Sequence, residues 1–590
     1  MTTLILAACA AANLLPVVPQ PREWKPAGGA YRLEADKVGY ARVRDAALGE
    51  EGYELVLSPT GAVARANGEI GFRRAKSTLQ QLAASGKPVA AGTVRDWPKY
   101  RVRGMMLDVG RKFVRMETLR ALAKTAAYYK LNEFHIHLND VGAHQFVGDD
   151  GYSAFRLECE TFPGLTAKDG HYGKDEFRAF QKECAAMGLT VVPEIDSPAH
   201  SGCFITYRPE FEGKYGRTHL ALDKPEVRAF MEKLFAEYCD GPDPVFAGEY
   251  VHVGTDEYDK REAEPFRAYT DWMFRMVRRH GKQPRAWGSL THAAGKTPVL
   301  ADEKIVMDIW YNPYYGPLEA LEAGYSIVSI PDGLVYIVPA AGYYFDYLEH
   351  ERIYNTWEPN VIGAVTVDAN HPRLLGGKFA IWNDLTGNGI SEDDIFDRAF
   401  PAIQTLSQKM WSGAVEGESY ADFRAIADTL GEAPGINLAD RLTGPGGTVG
   451  KGDVAVGWTQ GGGWMVSFDL VAERPDQVLF DDGTSQVRVF GDGKVGFSRD
   501  GYDWKSEAVV KPGVKTHLEL VGDPKGVNVV QDGRPAGDSR GVTQACKDWK
   551  GRHHDCLVVR TLHFPLVQKP FAGSIAGFRV KTDAAFGKTR

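Results

Sequence analysis

The sequence predicts a multidomain α/β protein made of a small α+β N-terminal domain, a (β/α)8 TIM barrel and a C-terminal all-β jelly-roll sandwich. Three observations carry that prediction. The chain has 590 residues, more than one hydrophobic core serves. From about residue 100 to 412, short apolar runs alternate with amphipathic helical stretches, the rhythm of a closed parallel sheet wrapped in helices. After about residue 445, short strand-like runs are punctuated by "DDG", "GDG", "RDG" and "QDG", turn signals at sandwich spacing.

Residues 1–13 open "MTTLILAACAAAN", an apolar, Ala-rich run of the kind cleaved on export, although it lacks the usual positive start. "LAAC", ending at Cys9, also has the form of a lipoprotein cleavage box, so a periplasmic, cell-surface or extracellular location is expected, with Cys9 a candidate lipid attachment point. Residues 14–98 mix β-like runs such as "YELVLS" with one helical stretch, "FRRAKSTLQQLAAS". Within 99–412 the strand candidates are "RGMMLDV", "EFHIHL", "TVVPEI", "YVHVG", "PRAW", "KIVMDIW", "SIVSI" and "GGKFAIW". Helices such as "METLRALAKTAAYYK" and "EPFRAYTDWMFRMVRRHG" fall between them. Residues 413–445 read as a helix and a Gly-rich linker, and 446–590 as the sandwich.

With 44% hydrophobic and 25% charged residues, the composition is that of an ordinary globular protein. A net charge of -8 leaves no basic stripe to neutralise phosphates, which argues against a nucleic-acid partner. Beyond the N-terminus no apolar run is long enough to cross a bilayer. The seven cysteines show no C-x-x-C spacing; Cys546 and Cys556 could close a short loop in an oxidising compartment.

In a barrel, catalytic residues collect where strands end. Here the ends carry Asp108, Asp140, Asp196 with His200, and the neighbouring pair Asp256 and Glu257, while Trp287, Trp310 and Trp382 end three other strands. Acids among tryptophans suit a pyranose, whose C–H faces pack on indoles while its hydroxyls meet a polar rim. Glycoside cleavage needs a carboxyl whose pKa is raised, and the charge of Asp256 with an aromatic surround is expected to raise Glu257. Two adjacent acids are poorly placed to flank a glycosidic bond. Substrate assistance removes the difficulty: the sugar's 2-acetamido oxygen attacks, Glu257 is the acid, and Asp256 orients the acetamido N–H.

The ordered set "RGMMLDVGRKF", "YYKLNEFHIHLND", "VVPEIDSPAH", "HVGTDE", "AW", "IW" and "FAIWND" resembles family 20 glycoside hydrolases, the β-N-acetylhexosaminidases, over about residues 15–412. The resemblance implies exo-acting, retaining release of terminal β-linked N-acetylglucosamine or N-acetylgalactosamine from glycans or glycoconjugates through an oxazolinium intermediate, with no cofactor and no metal. It implies that Glu257 is the general acid/base, Asp256 its acetamido-orienting partner, Asp140 and His200 a dyad that tunes the acid, and Tyr336 the donor to the acetamido oxygen. Arg103 is the expected ligand of the sugar's hydroxyls, Trp287, Trp310 and Trp382 the expected walls, and Asp384 an expected contact to the sugar. Departures from the family pattern are Thr255 for glycine, Val338 for an aspartate, Asp384 for a glutamate, and "VGAHQF" after Asp140. The lost acid at Val338 suggests tolerance of a 6-sulfated sugar. The last domain is similar to concanavalin-like or laminin-G-like modules, for which glycan binding and plain packing both remain open.

Two rival readings stand beside this one. His135 and His137, with His200, His252 and an aspartate, could form the metal site of a barrel hydrolase. A glycan-binding protein with a degenerate barrel is the other; intact Asp256, Glu257 and Tyr336 argue against it, because binding alone does not require an acid.

Overall fold

The computed structural model describes residues 14–33, 37–141, 154–384, 390–436, 438, 463–481, 485–499, 502–523, 525–547, 553–562 and 568–582. The expected export segment with Cys9, most of "VGAHQF", part of the 413–445 linker and the side chain of Cys546 lie outside them. The chain divides into two compact units, one of residues 1–388, 398–436 and 547–554, the other of 389–397, 437–546 and 555–590. Among the described residues no helix is long and apolar enough to cross a membrane.

The first unit opens with a five-stranded sheet in which Glu23–Tyr31, Val89–Asp96, Tyr53–Ser58, Gly61–Ala66 and Val38–Arg42 lie side by side in that order. Tyr53–Ser58 and Gly61–Ala66 alternate buried and less buried residues, the period of a half-covered sheet. The helix Glu69–Ala84 contributes Ala75, Leu79 and Leu82 to the same core.

The barrel follows. Its strands are Val102–Asp108, Glu133–His137, Thr190–Ser197, Tyr250–Gly254, Gln283–Trp287, Val306–Ile309, Ser326–Ser329 and Leu374–Ile381. All neighbours run parallel, and pairing of the eighth strand with both the seventh and the first closes the ring. These strands are buried along almost their whole length, as expected for a sheet covered on both faces. Four helices, Met116–Tyr128, Lys174–Ala186, Pro225–Cys239 and Ala263–Arg279, return the chain after the first four strands. In Ala263–Arg279 the buried side chains Phe266, Tyr269, Thr270, Met273, Phe274 and Val277 recur every three or four residues, a stripe that seats the helix on the strands. A further segment, Tyr336–Ile337, pairs with Ala380 and Ile381 and extends the ring beside the end of the eighth strand.

The barrel interior is more polar than the branched aliphatic layers that commonly fill this fold. His137 donates to Glu194 (2.6 Å), Trp287 Nε1 donates to the other Glu194 oxygen (2.6 Å), Arg285 pairs with Glu133 (2.6 Å), and Lys378 lies between Asp308 and His135 Nδ1 (3.0 Å). Every one of these side chains is sealed from solvent, so each charge is met by an opposite one.

The larger antiparallel sheets among the described residues of the second unit are one of five strands, with Trp464–Ala472 between Thr516–Asp523 and Gly573–Thr582, and a four-stranded meander from Gln477 to Val509. Trp464, Val466, Phe468 and Leu470 of the first share one core with Leu479, Val487 and Phe497 of the second.

Candidate active site

At the ends of the barrel strands a cavity of about 270 Å³ opens between the loops. Asp256 and Glu257 both line it, and the backbone explains how neighbours serve one space differently. Gly254, Thr255 and Glu257 have φ of 72°, 64° and 44°, and His200 has 48°. Left-handed conformations are costly for residues with a Cβ, and three such residues clustered at one cavity mark stored strain. The twist turns Asp256 inward, where the residue is 7% exposed, and leaves the Glu257 side chain 47% exposed at the mouth.

His200 joins the two acids. Its Nε2 lies 3.2 Å from Glu257 and 3.9 Å from Asp256, and its Nδ1 lies 3.2 Å from Asp140. With carboxylates facing both ring nitrogens, both donate, and Asp140 and Asp256 outweigh burial to push the imidazole pKa well up. Asp140 in turn accepts from His137 (2.8 Å), which reaches down to Glu194. Burial alone would raise the Asp140 carboxyl, but Arg111 and His200 hold it well below the usual range.

Glu257 does not follow the expected direction. Burial would raise it, yet the hydrogen bond and charge of His200, with Arg111 behind, hold its pKa below the ordinary value. It is Asp256 that is raised, to about 6, by burial and the nearby Glu257, against the lowering influence of His200.

Arg103 is not in the cavity, which corrects the expectation placed on it. Its side chain is fully buried at the opposite end of the first strand, donating to the carbonyls of Lys130 (2.9 Å) and Tyr100 (2.8 Å) and pairing with Glu51, its guanidinium over the Trp411 ring. Arg103→Met is expected to lower unfolding stability by on the order of 3 kcal/mol, the scale of a broken buried ion pair, while KM stays put. Denaturant melts and steady-state kinetics on the same sample check this.

The arginine that reaches the cavity is Arg111. It contacts Asp108 (2.9 Å), Asp140 (3.0 Å) and Asp384 (3.4 Å), with its guanidinium 5.6 Å from the Trp382 ring centroid. Asp384 also accepts from Tyr343 (2.7 Å). Tyr336 is placed by its pairing with Ala380 and lies between Trp310 (ring centroids 6.4 Å, interplanar angle 11°) and Trp382 (5.9 Å). Trp310, Trp382 and Asp384 line the cavity, as do Val338, Tyr343 and Tyr344. Trp287 and Asp140 stand behind it: Trp287 backs Trp382 at 5.6 Å and is 1% exposed, and Asp140 is reached only through His200 and Arg111.

The histidines of the metal reading are split. His135 and His252 lie sealed in the barrel interior with Glu194, where the Lys378 ammonium already supplies positive charge, and burial with Lys378 lowers His135 to about 3. Only His200 of the four lines the cavity.

The description of glycosyl hydrolase family 20, catalytic domain, matches residues 100–414. The chain is 25% identical to a lacto-N-biosidase of Bifidobacterium bifidum over 66% of its own length but only 35% of that protein's, so it spans about a third of that relative. It is 26% identical to a beta-N-acetylhexosaminidase of Cellulomonas fimi, over 64% of this chain and 77% of that one. A solved family 20 β-N-acetylglucosaminidase superposes with a TM-score of 0.58 at 25% identity, covering 71% of this chain and 96% of the other. Since the matched region takes in more than half of the chain and all eight barrel strands, the protein belongs to glycosyl hydrolase family 20.

Proposed function

We propose that the protein is an exo-acting, retaining β-N-acetylhexosaminidase that removes one terminal β-linked N-acetylhexosamine with the help of the sugar's own acetamido group. The observation that carries this reading is the divergence of Asp256 and Glu257: two adjacent acids approach one imidazole nitrogen, one inside the cavity and one at its mouth. They share a side instead of flanking a bond, which suits a nucleophile supplied by the substrate. The Asp256 carboxylate accepts the acetamido N–H and steadies the positive charge that spreads over the cyclising ring. Tyr336 donates to the acetamido oxygen as it closes on the anomeric carbon. The proton for the departing oxygen is held on the His200–Glu257 pair, and Glu257 delivers it; Glu257 then takes a proton from the water that opens the intermediate.

A cavity of about 270 Å³ suits a single sugar residue and therefore action at chain ends. Val338 lines the cavity where the resemblance implies an aspartate, which removes one source of repulsion toward a 6-O-sulfate, and Arg111 on the same lining supplies a positive charge. The proposed substrates are accordingly terminal β-linked N-acetylglucosamine, plain or 6-sulfated, and N-acetylgalactosamine of glycans or glycoconjugates, met by an enzyme whose apolar, Ala-rich first residues suit export.

The test compares chromogenic β-glycosides of N-acetylglucosamine, its 6-sulfate, N-acetylgalactosamine and glucose. The acetamido sugars are expected to be cleaved at least about 10³-fold faster than glucose, as an intramolecular nucleophile dictates, with the β-anomer appearing first by NMR. Cleavage of the glucoside at a comparable rate removes the mechanism, and strict preference for the unsulfated sugar removes the sulfate arm.

The reading also sets a pH dependence. Asp256 must be ionised, and its raised pKa of about 6 places its protonation within the working range. As pH falls through 6 the aspartate gains a proton and kcat/KM drops tenfold per unit, and Asp256→Asn is expected to remove that limb along with most activity.

A further inference from the structure

The barrel face that carries the catalytic cavity holds a second, larger cavity that the proposed mechanism does not use. It measures about 590 Å³ and is lined by residues 310–313 after the sixth barrel strand and 331–334 after the seventh. The helix His350–Thr356 and the hairpin of Val361–Ile362 with Val365–Thr366 complete its walls. Those walls are tied together by the protein itself. The Asp332 N–H donates to the Trp310 carbonyl (2.9 Å), and Asn312 Nδ2 donates to the Ile362 carbonyl (2.9 Å). The space is therefore preformed, as small-molecule sites usually are.

The chemistry of the lining suits a sugar. Tyr311 presents a large ring, 39% exposed and packed beside Trp310 and Tyr314 (centroids 5.6 and 5.5 Å). With Pro313 and Leu334 it offers an apolar surface to the C–H face of a pyranose. The charged side chains of the lining are one acid and one base, Asp332 and Arg352, with the amide of Asn312 and the hydroxyl of Thr356 among them. Balanced charge favours a neutral sugar over an anion, because hydroxyls both donate and accept. The two cavities also share a wall. Trp310 lines both, and its Nε1 is buried without a hydrogen-bond partner among the described residues. Asp332 of the larger cavity accepts from the hydroxyl of Tyr344 (2.9 Å), which lines the catalytic one.

We propose that this second cavity is a carbohydrate-binding site that seats another, neutral sugar of the same glycan while the terminal acetamido sugar occupies the catalytic cavity. The inference rests on the glycosidase reading of the catalytic cavity and adds a selection to it. A cavity for one sugar reads only the sugar that is cleaved. A second seat beside it makes the enzyme prefer extended glycans. Once the terminal sugar is engaged, filling the second seat is an intramolecular event, so a site of modest intrinsic affinity contributes strongly. Tyr311 supplies the stacking surface, and Asp332 with Arg352 supplies the hydroxyl partners.

The test uses the full-length enzyme with methyl β-N-acetylglucosaminide, which has no further sugar, and with a disaccharide and a tetrasaccharide that end in β-linked N-acetylglucosamine on neutral hexoses. From the methyl glycoside to the tetrasaccharide, kcat/KM is expected to rise by roughly 10- to 100-fold, chiefly through KM. Ala364→Trp, at an exposed position of the hairpin turn, fills the cavity, and Tyr311→Ala removes its stacking ring. Both are expected to abolish the rise while the methyl glycoside keeps its kcat and KM within about twofold. Equal kcat/KM for the methyl glycoside and both oligosaccharides in the wild type overturns the proposal, as does a rise that survives Ala364→Trp. A loss on the methyl glycoside in Tyr311→Ala that Ala364→Trp does not share makes Tyr311 a brace for Trp310 and overturns its role as a sugar platform. An octyl glycoside that gains as much as the tetrasaccharide, and loses the gain in Ala364→Trp, makes the cavity an apolar site and overturns the sugar assignment. Calorimetry supplies a readout free of catalysis. The trisaccharide left after cleavage, titrated into wild type saturated with N-acetylglucosamine, is expected to bind, and binding is expected to vanish in Ala364→Trp. Failure to cleave any acetamido glycoside counts against the proposed function alone, because the titration still reports on the second cavity.

Discussion

Glu257→Gln is expected to leave the fold and the affinity for released N-acetylhexosamine intact while lowering kcat/KM by about 10²–10⁴, or ~3–5 kcal/mol of transition-state stabilisation. Glutamine has the size of glutamate and can still meet His200 Nε2 at the 3.2 Å observed for the acid, so the mouth keeps its shape. What it cannot do is give up a proton to the departing oxygen. The loss should therefore be largest for poor leaving groups and smallest for nitrophenols, which depart without protonation. Kinetics on an aryl glycoside and on a disaccharide, with product titration by calorimetry, separate the two effects. Undiminished turnover of the disaccharide would remove Glu257 from its role and revive a plain binding function for the barrel.

The second large effect belongs to Arg111. Removing it as Arg111→Ala leaves Asp108, Asp140 and Asp384 facing one another without the guanidinium that now touches all three. Truncating one member of a buried charge cluster costs about 3–5 kcal/mol, and here it also frees Asp140 and Asp384 to shift. A drop of about 10³-fold in kcat/KM with a rise in KM is expected, together with a lower melting temperature. Arg111→Lys should recover charge balance and hence stability, but not the forked contact, so KM should stay raised. If the lysine variant matches wild type in KM, Arg111 is only an electrostatic brace.

The contrast between Arg111 and Arg103 illustrates what was legible in the sequence. Eight strands and their order followed from alternation of apolar runs and helices, because a parallel barrel imposes that rhythm locally. Asp256, Glu257, His200, Trp310 and Trp382 could be nominated because each sits at or just beyond a strand end, whereas Tyr336 and Asp384 were named only through the resemblance to the family. Both arginines flank the same strand, one before "GMMLD" and one after it, and only the direction of the strand decides which faces the cavity. The signal was available, since barrel sites lie beyond the C-terminal ends of strands, where Arg111 follows Asp108 by three residues. Tyr343 and Tyr344 carried no such signal; they sit in a long loop, and their contacts with Asp384 and Asp332 exist only once that loop is folded.

Charge states were the least legible quantity. The adjacent acids suggested that Glu257 would be the raised one, whereas His200, brought in from the loop after the third strand, lowers it and leaves Asp256 raised. The polar interior had the same character. Glu194, His137, His252 and Asp308 each sit on different strands, and ring closure alone turns them into one network beneath the cavity.

The short segment Tyr336–Ile337 has a consequence for how such an enzyme can diversify. Its two residues are stitched into the ladder of the eighth strand, while residues 339–344 form a loop outside that ladder, closed where the Val338 N–H donates to the Phe345 carbonyl and held by the Tyr343 and Tyr344 hydroxyls. Insertions or replacements among residues 339–344 can therefore reshape the entrance, and with it the choice of glycan, without displacing the tyrosine hydroxyl from the reacting centre. Selection can act on the doorway and on the chemistry separately.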